Sequence, residues 1–344
     1  MIELISPIQD AVVCLQTEEQ KGFFADEPKR AEMDGSFTFA WYDLQRGGTD
    51  RSIPLPVSFR WQDSEGKEPQ GDERYWLLVS ENADLSDALI YAAAVPACEV
   101  YNLKVGTKYF WCVQRNGKRS ETASFRTEMT LPRCIRLVGN SNVRDMGGWK
   151  VDGGRIRQGL VYRGGEFELH MHMTEESMIE LVRLGLRTEI DMRGEAKHNV
   201  DFTTPQLIGV KRAYIPGIPY TEVFLPEEKP AIENSFRVLA DPTNYPVYFH
   251  CWGGADRAGT FAFLIGALLG MRLEDLIDDY EFTSLSIWGI RSRNYTEFRK
   301  FLDMFLALPG DSMHEKCVSF LKTHTDLTDR QIQAIYDNLV EKDG

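Results

Sequence analysis

Cys251 and Arg257 stand six positions apart in the run His250-Cys251-Trp252-Gly253-Gly254-Ala255-Asp256-Arg257-Ala258-Gly259-Thr260. The pair alone carries little weight, because the chain offers cysteines at 14, 98, 112, 134, 251 and 317. Only Cys251 has an arginine at that distance, and only it lies between a β-prone run and a helix start. A glycine-rich loop opening a helix gathers backbone N–H groups into one concavity, where the helix dipole favours an anion. The same field favours a thiolate over a thiol. Arg257 can fold back with a planar fork of donors that matches two oxygens of a tetrahedral dianion. A nucleophile beneath such a cradle is what phosphoryl transfer requires, and no metal or other cofactor need take part.

Such a loop needs a strand before it and a helix after it. Pro246–His250 is short, apolar and β-prone, and the uncharged run from Phe261 to Leu269 reads as a buried helix. Further candidate strands are Arg187–Asp191 and Lys211–Ile215. Between Thr174 and Leu184, Met178, Leu181 and Val182 are expected on one helical face, with Thr174 as N-cap and Gly185 as the closing residue. Residues 272–342 look helical, and Thr328-Asp329-Arg330-Gln331 is a capping box for a last helix presenting Ile332, Ile335 and Leu339. This alternation predicts an α/β domain over 129–344, a mostly parallel central sheet flanked by helices.

Residues 1–128 read differently. Val57, Phe59 and Trp61 alternate with polar residues, as do Tyr75, Leu77 and Val79, and Tyr109, Trp111 and Val113. Gly66, Gly106 and Asn116-Gly117 mark turns between such runs. The pattern predicts an all-β antiparallel sandwich. Residues 16–50, with Phe23-Phe24 and Trp41-Tyr42, form an insert expected to pack on the second domain.

His-Cys-x-x-Gly-x-x-Arg resembles the signature loop of the protein tyrosine phosphatases, and Asp256 directly before Arg257 resembles the bacterial tyrosine/serine phosphatase family. Asn142-Val143-Arg144-Asp145-Met146-Gly147-Gly148, Val161-Tyr162-Arg163, and Leu184-Gly185-Leu186 through Ile190-Asp191-Met192-Arg193 and Glu195 resemble further motifs of that family. Asp279-Tyr280 falls in family order, and the resemblance spans roughly 135–342. It implies that Cys251 attacks phosphorus, while Arg257 and the amides of Trp252, Gly253, Gly254, Ala255, Asp256 and Arg257 hold the equatorial oxygens. His250 would tune the thiolate from behind, and Arg144 and Asp145 would brace the loop. In the front domain, Leu103-Lys104-Val105-Gly106-Thr107-Lys108-Tyr109, Trp111 and Ala123–Thr127 resemble the end of a fibronectin type III domain. That resemblance implies a tyrosine corner at Tyr109 and a core tryptophan at Trp61.

The chain departs from the family pattern in three places. Ala258 replaces the usual Ser or Thr after the signature arginine, which predicts slow hydrolysis of the intermediate. Ala255 stands where Lys is frequent, which weakens a phosphoinositide reading. No Trp-Pro-Asp loop is visible; Pro216–Glu222 occupies its place without an aspartate. Asp256 is therefore the candidate general acid and then base, with Glu222 second. Tyr220, Phe224, Trp252 and Trp288 could stack on a phenyl phosphate, though core packing competes for each, least so for Trp252. His170 and His172 are a weak metal pair with no third ligand evident.

These residues predict a phosphomonoesterase acting on phosphotyrosine, with phosphoserine and phosphothreonine as further substrates. An inositol-phosphate or phosphoinositide phosphatase and a phosphate-binding pseudoenzyme are the alternatives. The chain's 344 residues carry a net charge of −13, which argues against a nucleic-acid binder or a polybasic membrane-binding protein, since both need surplus positive charge. A phosphorylated protein or small phosphomonoester is the expected partner. There is no 18-residue apolar stretch, no leader pattern and no paired cysteine spacing, so a reducing, cytoplasmic setting is expected.

Overall fold

The computed structural model describes residues 2–32, 50–64, 71, 73–194 and 209–342. Trp41, Tyr42, Gly66 and Glu195 lie outside the described residues. The chain divides into two compact units, residues 1–17 with 54–131, and residues 18–53 with 132–344. The 18–53 segment thus clusters with the second unit although strands of the first flank it in sequence.

The first unit is built from strands β1 (Ile2–Ser6), β2 (Ala11–Val13), β3 (Val57–Asp63), β4 (Tyr75–Ser80), β5 (Leu89–Ala93), β6 (Ala97–Val100), β7 (Lys108–Arg115), β8 (Lys118–Arg119) and β9 (Ala123–Thr127). They form a sheet ordered β1-β3-β6 and a second ordered β2-β9-β7-β4-β5, with β8 paired to β7. Alternation explains the packing: Val57, Phe59 and Trp61 are buried while Ser58, Arg60 and Gln62 are exposed. Phe59 meets Trp111 of the other sheet edge-on at 4.9 Å. Asn116 and Gly117 both have positive φ, the two-residue turn that suits a right-twisted hairpin between β7 and β8. The Tyr109 hydroxyl accepts a hydrogen bond from the Lys104 amide at 2.9 Å, five residues back.

The second unit holds α1 (Glu18–Ala25) and α2 (Glu27–Ala31), then β10 (Arg133–Cys134), β11 (Arg144–Asp145), β12 (Lys150–Val151), β13 (Gly154–Ile156) and β14 (Val161–Gly164). Next come α3 (Glu175–Arg183), β15 (Thr188–Asp191), β16 (Lys211–Tyr214), α4 (Lys229–Ala240), β17 (Val247–His250) and α5 (Arg257–Leu269). The chain ends with α6 (Leu273–Phe282), α7 (Thr296–Leu306), α8 (Met313–His324), α9 (Asp329–Leu339) and β18 (Val340–Lys342). The central sheet runs β10-β11-β14-β17-β15-β16, and β14, β17, β15 and β16 are mutually parallel. Every residue of β14, β15 and β17 is buried, as expected of strands covered on both faces. From Ala258 to Leu269 α5 is buried all round, which accounts for its lack of polar periodicity.

Three expectations need correction. Val182 is 76% exposed, whereas Leu181 is 2% exposed; the two point about 100° apart, and the buried stripe of this helix runs through Ser177 and Leu181, leaving Val182 on its solvent side. Residues 340–342 form β18 on β13 and do not continue the last helix. Residues 286–295, expected to be helical, are not; Thr174 caps α3, and the capping box at Thr328 and Gln331 opens α9. Among the described residues no helix is long and apolar enough to cross a membrane.

Candidate active site

Strand β17 lies between β14 and β15, in register so that His250 pairs with Gly164 and Asp191. The strand end therefore delivers Cys251, 5% exposed, to the carboxyl edge of the sheet, where open α/β sheets place their ligands. Gly254 has φ +64°, and a Cβ there would lie 2.2 Å from the Gly164 carbonyl oxygen. No other residue type fits that turn without strain.

Four successive loop carbonyls are tied outward. The Cys251 oxygen lies 3.0 Å from His250 Nδ1, and the Trp252 oxygen accepts from the Glu166 amide at 2.9 Å. The Gly253 oxygen accepts from Asn142 Nδ2 at 2.9 Å and the Gly254 oxygen from Arg163 Nη2 at 2.6 Å. In a trans peptide the next N–H points opposite to the carbonyl. Anchoring these oxygens therefore turns the amides of residues 252–255 into the concavity above Cys251.

A buried carboxylate organises the anchors. Asp279 on α6 receives Arg144 Nε at 2.7 Å and Arg163 Nη1 at 2.6 Å. Burial alone would raise its pKa, but the two guanidiniums outweigh that and hold it below the usual carboxylate range. Burial and the Arg144 charge push Arg163 down to about 10, still charged at neutrality. Behind the loop, His250 Nε2 lies 2.8 Å from Glu189. Burial would lower the imidazole pKa, yet the Glu189 bond and the Glu189 and Asp191 charges raise it. His250 thus bridges the Glu189 carboxylate and the Cys251 carbonyl of the loop.

Arg257 opens α5, with its guanidinium 5.6 Å from the Trp252 ring centroid. Asp256 is forked by Arg291, Nε and Nη2 reaching separate carboxylate oxygens at 2.8 and 2.9 Å. The Tyr220 hydroxyl also donates to Asp256 and lies 2.9 Å from the Tyr280 hydroxyl. Burial first, and then the Asp256 charge, pushes the Tyr220 phenol well above its ordinary pKa, so it stays a donor. Tyr220 adopts φ +59°, a left-handed conformation rare for an aromatic residue. Its amide donates to Thr260 Oγ1 at 2.9 Å, which fixes the 216–224 segment beside the loop.

Cys251 stands in the wall of a cavity of ≈ 530 Å³. Tyr220, Trp252, Trp288 and Tyr295 supply aromatic surface, Arg257 and Arg291 positive charge, and Glu222, Asp256 and Glu297 carboxylates. The structure thus gathers Cys251, Trp252, Gly253, Ala255, Asp256, Arg257, Tyr220, Glu222 and Trp288 at one site, with Gly254 and His250 behind it. Asp145 lies elsewhere: it binds Arg133 at 2.6 Å and the Gly147 and Gly159 amides. Phe224 packs against Phe301, Phe320 and His324. His170 Nδ1 is 2.7 Å from Glu166, while His172 is exposed. Arg291 and Tyr295 escaped sequence reasoning because an isolated Arg or Tyr 34 or more residues past the loop leaves no local signal.

A family model described as "Tyrosine phosphatase family" matches residues 135–341, more than half of the chain. A protein of Cupriavidus necator provisionally named a tyrosine-protein phosphatase is 30% identical over 164 residues, covering 41% of this chain and 59% of that protein. The chain therefore spans less than two thirds of that curated relative. The core catalytic domain of the PP-IP phosphatase SIW14 from S. cerevisiae has 18% identity and a TM-score of 0.30, over 41% of this chain and 80% of that one. A second Siw14 catalytic core gives 21% identity and a TM-score of 0.28, over 36% and 70%. The loop geometry and the extent of the family match together assign the chain to the tyrosine phosphatase family.

Proposed function

We propose that the protein hydrolyses phosphomonoesters through a phosphocysteine intermediate, with aryl phosphates, phosphotyrosine above all, as preferred substrates. The observation that carries this is the anchoring of four loop carbonyls around Cys251, which leaves an amide-lined anion cradle over a cysteine. The Cys251 thiolate attacks phosphorus, the ester P–O bond breaks, and Asp256 delivers a proton to the leaving oxygen. Water then attacks phosphorus, giving its proton to Asp256; the P–S bond breaks and orthophosphate leaves. Arg257 and the amides of 252–257 hold the equatorial oxygens throughout.

The fork from Arg291 holds the Asp256 carboxylate at the cavity wall, placed for both proton transfers. The reading favours phenolic leaving groups, which depart more readily than alcohols. The aromatic walls point the same way, and the Glu222 and Glu297 carboxylates oppose a polyphosphorylated inositol. Phosphoserine and phosphothreonine are secondary substrates. Asn142, Arg144, Arg163 and Asp279 brace the cradle.

The front unit is a fibronectin type III-like module, supported by its two sheet orders and by the Tyr109–Lys104 corner. Its proposed role is that of a supporting or protein-contact module, since the fold by itself assigns no chemistry. The scattered cysteine spacing is in keeping with a reducing, cytoplasmic setting.

The test is kcat/KM for a phosphotyrosine peptide, the matching phosphoserine peptide and an inositol polyphosphate. The reading expects the order phosphotyrosine, phosphoserine, inositol polyphosphate. Preference for the inositol polyphosphate would overturn it, and so would orthophosphate binding without turnover.

A further inference from the structure

The matched family region begins at residue 135, yet the phosphate loop is held partly from a segment that precedes it. Ser52, 2% exposed, accepts the Asn142 amide at its Oγ at 3.2 Å and gives its own hydroxyl to Asp50 at 2.6 Å. Asn142 is fully buried with φ +64°, and its side chain donates to the Gly253 carbonyl and accepts from Arg144 Nη1. On the other side, Gln20 of α1 clamps this stretch by donating to the Arg51 and Ile53 carbonyls at 2.9 and 3.0 Å.

A second grip reaches the same anchors through α6. Arg30 of α2, 4% exposed, pairs with Asp278 and lies 3.6 Å from Glu281. Phe24 stacks on Phe282 at 5.8 Å with planes 6° apart. The Arg144 guanidinium lies 5.4 Å from the centroid of that Phe282 ring. Asp279, the carboxylate between Arg144 and Arg163, belongs to the same helix turn.

We infer that Ser52, Gln20 and Arg30 are working parts of the catalytic unit, with Ser52 as a positioning residue that fixes Asn142 and, through it, the Gly253 carbonyl of the phosphate loop. The inference rests on the phosphatase reading above. Loss of the Ser52 oxygen leaves the Asn142 amide buried and unpaired in a left-handed turn. The turn relaxes, Gly253 loses its anchor, and the adjoining amide swings out of the cradle. The consequence belongs to phosphate binding and turnover, beyond stability alone.

The experiment uses the full chain and its Ser52→Ala, Ser52→Thr and Ser52→Cys variants, with Glu18→Gln as a control on an exposed ion pair of the same segment. Readouts are p-nitrophenyl phosphate kinetics, inhibition by orthovanadate and melting temperature. Ser52→Ala is expected to lower kcat/KM about tenfold and to raise the vanadate inhibition constant by the same factor. Its melting temperature should stay within about 4 °C of wild type. Ser52→Thr, which keeps the acceptor, restores both, and Glu18→Gln matches wild type. Where Ser52→Ala does not fold, Ser52→Cys, a weaker acceptor of similar size, carries the same expectation. Unchanged kinetics and vanadate inhibition, with only the melting temperature lowered, would overturn the inference. A wild type without turnover would sink the hydrolase reading instead; orthophosphate affinity by calorimetry would then decide the role of Ser52, equal affinity in wild type and Ser52→Ala counting against it.

Discussion

The Arg291 guanidinium grips Asp256 by both carboxylate oxygens, and the Tyr220 hydroxyl adds a third donor to the same group. Arg291 is buried, its side chain 3% exposed, so the fork operates largely out of water, where a charge-assisted pair is strongest. A proton carrier held this way is fixed in orientation at the cavity wall.

If Asp256 moves the proton, Asp256→Asn should lower kcat/KM for phenyl phosphate by about 10²-fold. The loss should be smaller for p-nitrophenyl phosphate, whose leaving group departs without a proton. Arg291→Met removes the fork that aims the carboxylate and should lower kcat/KM for phenyl phosphate about tenfold. Equal losses on both substrates in Asp256→Asn would assign the proton transfer to another group.

Gly254→Ala tests the loop backbone. The added Cβ would overlap the Gly164 carbonyl in a left-handed turn, at a cost of about 2 kcal/mol in denaturant titration. Orthophosphate binding should vanish with it, because the turn aims the amides. Retained binding would show that the cradle tolerates another backbone path.

Ala258 is fully buried at the start of α5. Without a hydroxyl to help the thiolate depart, wild type should show a burst of nitrophenol followed by a slower steady rate. Ala258→Ser should shrink the burst and raise kcat about tenfold, as one added hydrogen bond in the second step would. A wild type with no burst would mean that the intermediate does not accumulate.

Asp191 supplies a pH-dependent contribution to stability. Burial alone would raise its pKa, but the Arg193 bond, the His250 charge and the Arg212 bond outweigh this and bring it to about 2. The folded value lies below the unfolded value of about 3.9, so the stabilisation is present above that pH and lost as pH falls through the folded one. Asp191→Asn should therefore cost about 2 kcal/mol at pH 7, and its difference from wild type should close between about pH 4 and pH 2. A gap independent of pH would place the cost in packing.

Local chemistry was legible in the sequence. The strand–loop–helix around Cys251, the alternating strands of the first unit and the caps at Thr174 and Thr328 each depend on residues within a few positions of one another. The supports of the loop were not. Asp279 lies 135 residues from Arg144 and 116 from Arg163, and charges buried at such separation leave no period to detect. Arg291 and Tyr220 meet Asp256 only through tertiary folding. The insert over 16–50 reads as packing on the second domain, and Phe24 does stack on Phe282; which residues it meets there, some 248 positions from Arg30, leaves no local signal. Val182 lies at the edge of a stripe whose buried centre is Ser177 and Leu181, a boundary the apolar pattern does not mark.

The most direct test is to quench wild type with acid during turnover of an aryl phosphate and locate covalent phosphate by peptide mass spectrometry. Phosphate should be found on Cys251 and be absent, along with turnover, in Cys251→Ser. Phosphate on another residue, or turnover that survives in Cys251→Ser, would contradict a reaction that passes through phosphocysteine.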